Sequence, residues 1–168
     1  MEYNNRNMSD LKSSIFRNLI SMTNKNFSHL EKIINPKIVE VQECFILDLE
    51  GELKIENINW ERVMKFHKDK TGYEASCNEL RVNDYVNDAD ITRDDIIICA
   101  LQIMDGWENQ LRRCFPEHNF LIVLSCDDEY ATLRFHKERP NENNWLNHDL
   151  EKYKDQAIMV KEVMRNSI

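Results

Sequence analysis

The hydrophobic positions change period several times along the chain. Leu11, Ile15, Leu19 and Met22 recur at helical spacing, with Phe16 and Ile20 widening the stripe, and predict a helix from about Asp10 to Thr23. Ser28 followed by Glu31 reads as a capping box that opens a short second helix through Leu30, Ile33 and Ile34. Asn35-Pro36 ends it, because the residue before a proline is pushed out of the helical region. From Lys37 the period becomes two: Val39, Val41, Phe45, Leu47 and Leu49 alternate with more polar neighbours. Glu43 breaks this pattern, and Cys44 and Ile46 give the other face apolar character. Glu50-Gly51 then returns the chain through Leu53 and Ile55, which predicts a hairpin over 38–55. Asn59 caps a third helix through Val63, Phe66 and His67 that Gly72 terminates, and a weaker strand covers Ala75 to Val82.

The second half reads more sharply. Thr92 as N-cap, with Asp94 and Asp95 in the first turn, suits the positive end of a helix dipole. Ile96, Ala100, Ile103, Trp107, Leu111 and Cys114 form one stripe, so a long helix spans 93–115 until Phe115-Pro116 stops it. Phe120 to Leu124 is apolar on both faces and predicts a central, doubly covered strand. Asp127-Asp128-Glu129 makes a tight acidic turn, and Tyr130 to Lys137 returns. With Asp128 and Glu129 at the turn, Cys126 falls opposite Ala131 and His136 opposite Leu121. Residues 138–155 read as an irregular excursion, and Gln156 to Val163 fits either a closing strand or a helix. The expectation is an α+β fold: an antiparallel-rich sheet, including the hairpins 38–55 and 120–137, packed by the long helix and by N-terminal helices. No repeat or linker divides residues 1–168, so one domain is expected, with residues 1–35 as its N-terminal helical segment.

Composition agrees and narrows the function classes. Three glycines and three prolines in 168 residues favour long elements over a many-turned sandwich. Cys44, Cys77, Cys99, Cys114 and Cys126 are odd in number and contain no C-x-x-C pair, the pattern of free thiols in a reducing compartment. The longest apolar run, Ile96 to Leu101, is far short of a membrane span, and MEYNNRNMSD holds no signal-peptide core, so a cytoplasmic location is expected.

The net charge is −8, and its distribution says more than its sum. Residues 1–37 carry six basic and three acidic side chains; residues 38–60 carry one basic and six acidic; residues 83–95 carry one basic and five acidic. Two concentrated acidic segments repel nucleic acid and anionic membranes and attract basic protein surfaces. Glu50, Glu52 and Glu56 in the first segment, with Asp84, Asp88, Asp90, Asp94 and Asp95 in the second, are the candidate partner-binding residues.

Catalytic constellations are not found. Three isolated glycines build no phosphate loop, and no metalloprotease, deaminase or nucleophile-elbow motif occurs. An EF-hand starting at Asp88 and Asp90 fails, with Arg93 where glycine is needed and Cys99 where glutamate is needed. Cys126 and His136 lie about 17 Å apart along neighbouring strands, too far for a nucleophile–base pair. His29, His67, His118, His136 and His148 are scattered without ligand spacing. The expectation is therefore no enzyme, no metal and no cofactor. Trp107 belongs to the core, Trp60 is half-buried, and Trp145 pins the excursion or anchors an interface.

The order of a long helix ending near Phe115, the strand FLIVLSCDDEY, the strand ATLRFHKERP and then WLNHDLEKYKDQAIMV resembles small uncharacterised bacterial proteins. Some of these are immunity partners of polymorphic or contact-delivered toxins. The resemblance covers residues 96–163 and carries over no site residues. It implies a cytoplasmic protein that binds a toxin domain, a nuclease among the options, and blocks its active site without covalent chemistry. A regulatory or structural module with a non-toxin protein partner is the alternative, and an enzyme of unrecognised type the third reading. An exposed edge strand leaves homo-oligomerisation open.

Overall fold

The computed structural model describes residues 1–18, 30–86 and 90–165. The expected α+β architecture is present. An antiparallel five-stranded sheet has the order β1-β7-β5-β6-β4, built from β1 (Glu2–Asn4), β4 (Leu80–Arg81), β5 (Phe120–Cys126), β6 (Ala131–Lys137) and β7 (Ala157–Val163). Beside it stands a separate two-stranded hairpin of β2 (Ile38–Val41) and β3 (Cys44–Leu47). Among the described residues five α-helices accompany the strands: α1 (Arg6–Asn18), α2 (Glu31–Ile34), α3 (Trp60–His67), α4 (Lys70–Cys77) and α5 (Arg93–Cys114).

β5 and β6 pair in the register the acidic turn implied, Cys126 opposite Ala131 and Leu121 opposite His136. One face of the sheet carries Phe120, Ile122, Leu124, Leu133, Phe135 and Met159, which pack beneath Ile97, Ile103, Trp107 and Leu111 of α5. The other face carries Leu121, Val123, Ile158 and Val160, covered by Leu146 and Leu150 of the excursion. This double cover is why Phe120–Leu124 is apolar throughout. β7 settles the ambiguity of residues 156–163 as a strand, lying between β1 and β5. Its polar Lys161 points to the α5 side, where its ammonium reaches Asp105 and Glu108.

Several expectations are corrected. The hairpin over 38–55 turns at Gln42-Glu43, both with positive φ (51° and 64°), so the break seen at Glu43 is the turn itself. A two-residue turn sets Val41 opposite Cys44 and Val39 opposite Ile46, so these four share one face while Phe45 and Leu47 join Ile38 on the other. The single apolar stripe expected through Val39, Val41, Phe45 and Leu47 is split between the two faces. Residues 48–58 then fold back as a loop instead of a strand, fixed by Asp48, which accepts from the Leu53 N–H and pairs with Lys37.

The third helix ends at Lys68 (φ 70°), and Asp69 starts α4 by accepting from the Gly72 N–H. Gly72 therefore lies in a first turn, and the strand expected over Ala75–Val82 shrinks to Leu80–Arg81. The first helix begins earlier than its apolar stripe, because Asn5 caps it by accepting from the Met8 N–H. Its expected continuation through Leu19, Ile20, Met22 and Thr23 lies outside the described residues, as does Ser28. α2 has Leu30 at its N-cap, and the Glu31 carboxylate accepts from Asn35 at the helix end.

Polar side chains of α4 join the hairpin to the sheet. Glu74 is fully buried, and its carboxylate accepts from the backbone N–H of Phe45 on β3 (2.8 Å) and of Lys137 on β6 (2.7 Å). Arg139 donates to both of its oxygens at 2.7 and 2.9 Å. Asn78, also fully buried, accepts from the Leu47 N–H and donates to the carbonyls of Phe45 and Phe135. These two side chains stand where direct strand-to-strand hydrogen bonds would run.

Candidate functional site

The acidic segment 84–95 is organised by the start of α5. Thr92 accepts from the Asp95 N–H, and the Asp95 carboxylate accepts from the Thr92 N–H (2.9 Å) and hydroxyl (2.8 Å), a reciprocal capping box. Asp95 is buried by this role. Asp84 and Asp90 are exposed and Asp94 half-buried, while Asp88 lies outside the described residues.

The β5–β6 turn is drawn to the same end of the molecule. Arg93 donates to the Asp127 carbonyl at 2.7 Å, and Asn83 donates to the Glu129 carbonyl while accepting from the Ala131 N–H. Asp127 accepts from the backbone N–H groups of Tyr130 and Glu129, which hold its carboxyl below the usual range. The exposed side chains of Asp128 and Glu129 thereby join Asp84, Asp90 and Asp94 around the head of α5. The sequence marked Asp128 and Glu129 as a turn but not as members of this surface. The signal was available in the register, since a strand pair ending at Cys126 must present the turn beside the helix that covers it.

Glu50, Glu52 and Glu56 are also exposed, on different support. Their loop is anchored by Asp48 and by Leu53 and Ile58, which pack on a small core of Val41, Cys44, Ile46 and Tyr73. The eight candidate acids thus divide between a hairpin-borne loop and the head of α5.

Cys126 and His136 stand five register positions apart on their strands. Burial pushes the Cys126 thiol up to about 12, so it stays protonated near neutral pH. His136 is buried too; desolvation lowers its pKa, and its Nε2 has no hydrogen-bond partner. Among the described residues, no group of three or more His, Cys, Asp or Glu side chains is placed to hold a metal ion. None of their helices is long and apolar enough to cross a membrane. Trp107 is fully buried and donates to the Ile33 carbonyl at 2.8 Å; Trp145 is 41% exposed and lies over the Arg134 guanidinium at 4.7 Å. Leu146, next in the chain, and Leu150 pin the excursion to the sheet.

A family model described as the Uncharacterized protein PM0498 family matches residues 3–168 of the chain. No curated protein and no solved structure matches it.

Proposed function

The chain belongs to that family, whose description assigns no activity, and on this premise we propose that it is an immunity protein. In this reading it is a cytoplasmic domain that binds a cognate bacterial toxin domain and blocks its active site without covalent chemistry. The observation that carries the reading is the acidic surface at the head of α5, where Asn83 and Arg93, neighbours in sequence of Asp84 and Asp94, tie the Asp128-Glu129 turn to the segment that also bears Asp90. A toxin that acts on nucleic acid needs a basic face to hold phosphate. An acidic inhibitor is steered to such a face, with association raised about 10–1000-fold by complementary fields.

The reading is tested with the affinity-tagged product of the adjacent gene. Co-purification with this chain is expected. The triple replacement Asp84→Asn/Asp90→Asn/Asp94→Asn should weaken the complex about 10-fold or more, whereas Glu50→Gln/Glu52→Gln/Glu56→Gln tests the second segment. Asp95 is left intact because its loss would disturb the helix cap. Unchanged affinity in both variants would remove the acidic residues from the interface, and failure to co-purify would remove the partner.

A further inference from the structure

A second surface differs in chemistry from everything around it. A cavity of about 450 Å³ opens beside α3, within the size range of small-molecule sites. Ile58 and Val63 form its aliphatic wall, and Phe66, His67 and Tyr73 its aromatic one. In a chain of net charge −8, no Asp or Glu side chain lines it, and its one permanent charge is Arg62. Two other cavities among the described residues contain acids: Glu138 and Glu142 in one, Asp127, Asp128 and Glu129 in the other.

The rings form a connected row. Trp60 meets Tyr73 edge-to-face at 5.6 Å, Tyr73 meets His67 at 5.4 Å, and His67 meets Phe66 at 5.3 Å. Phe66 ends the row and is 80% exposed. Arg62 precedes it by one helical turn. Its backbone N–H is used by the Asn59 cap, but its guanidinium has no hydrogen-bond or ion-pair partner among the described residues. A planar fork of donors beside an aromatic wall matches a carboxylate or phosphate attached to a flat ring.

We propose that this cavity binds a small aromatic anion, its ring against Phe66 and Tyr73 and its anionic group on Arg62. The ring packs on the exposed Phe66 end of the row, with the edge of Tyr73 at the cavity floor, and the anion meets the Arg62 guanidinium. Asn57 and Asn59 at the rim offer amides to polar atoms on the ring edge. None of its lining residues is among the candidate acids, so its existence does not depend on the immunity reading.

Benzoate and adenosine monophosphate, titrated into the full chain and followed through the backbone amide resonances of 57–73, test the proposal and separate a carboxylate source from a phosphate source. Cyclohexanecarboxylate and benzamide test the ring and the charge one at a time. At least one aromatic anion should bind with a Kd on the order of 1 mM or tighter, and both controls at least about 5-fold more weakly. Arg62→Gln should weaken binding about 10-fold and Phe66→Ala about 5-fold. Both side chains are exposed, so both variants should keep the parent far-ultraviolet spectrum and melting temperature. No shift with either anion, equal binding of cyclohexanecarboxylate, or binding indifferent to Arg62→Gln would each overturn it.

Discussion

Replacing Glu74 by alanine removes both carboxylate oxygens from a site with no exposure. The N–H groups of Phe45 and Lys137 lose their acceptor, and Arg139 loses its buried counter-ion. Breaking a buried pair from one side costs about 3–5 kcal/mol, and each stranded backbone N–H about 1–3 kcal/mol. The terms overlap, because Arg139 keeps the carbonyls of Glu43 and Lys137 and stays near Glu142. The expected loss is therefore about 4–6 kcal/mol, a large part of the 5–15 kcal/mol typical of a whole domain.

Urea unfolding followed by tryptophan fluorescence and circular dichroism reads this loss. If Glu74→Ala does not fold, Glu74→Gln serves: its amide sets a donor against one of the two N–H groups and should cost about 2–3 kcal/mol. Adding Arg139→Met to Glu74→Ala should restore at least about 2 kcal/mol, because the stranded charge is gone. A loss below about 1 kcal/mol for Glu74→Ala would refute the view that α4 holds the hairpin to the sheet through this carboxylate.

Three further outcomes follow from other sites. Gly106→Ala should lower the melting temperature despite alanine's better helix propensity, because a Cβ there would meet the Ile34 carbonyl oxygen at 2.1 Å; a rise would contradict this close packing of α2 on α5. Burial depresses the His136 pKa below 6.5, so the unfolded chain binds the extra proton first as pH falls. Stability should drop below pH 6.5, and His136→Leu should flatten that slope in pH-dependent urea titrations; an unchanged slope would show that His136 is not its source. Asp95→Ala should cost about 1 kcal/mol in thermal unfolding through loss of its side of the capping box, whereas a neutral effect would place the start of α5 under other control.

The regular half of the molecule was legible because local chemistry and tertiary burial agree there. Thr92 with its first-turn acids marks the start of α5, and the acidic turn alone set the β5–β6 register. Ala100, Ile103, Trp107 and Leu111 of the expected stripe are buried, while its ends, Ile96 and Cys114, are half-buried and exposed. The hairpin turn was hidden because Gln42 and Glu43 take positive φ without the glycine or asparagine that usually signals it. α4 was obscured by Gly72, which reads as a terminator but sits in the first turn capped by Asp69. β1 is a short polar strand, Glu2–Asn4, whose only argument for existing is the edge of β7.

Glu74 and Asn78 carried no local signal at all. Their task is to satisfy backbone groups distant in sequence, and an acidic or amide side chain on a helix normally reads as solvated. Of the candidate acids, Asp94 and Asp95 were legible as first-turn residues of α5, but the capping box that buries Asp95 was not. The gathering of Asp84 and Asp94 with Asp128 and Glu129 required the strand pairing and the Asn83 and Arg93 bonds.

The immunity reading is tested most directly by growth. The adjacent gene is induced in a heterologous bacterial host with and without this chain. The account predicts arrest without it, recovery with it, and weaker recovery with the Asp84/Asp90/Asp94 asparagine variant. A neighbour that is harmless alone, or arrest that this chain does not relieve, would contradict it.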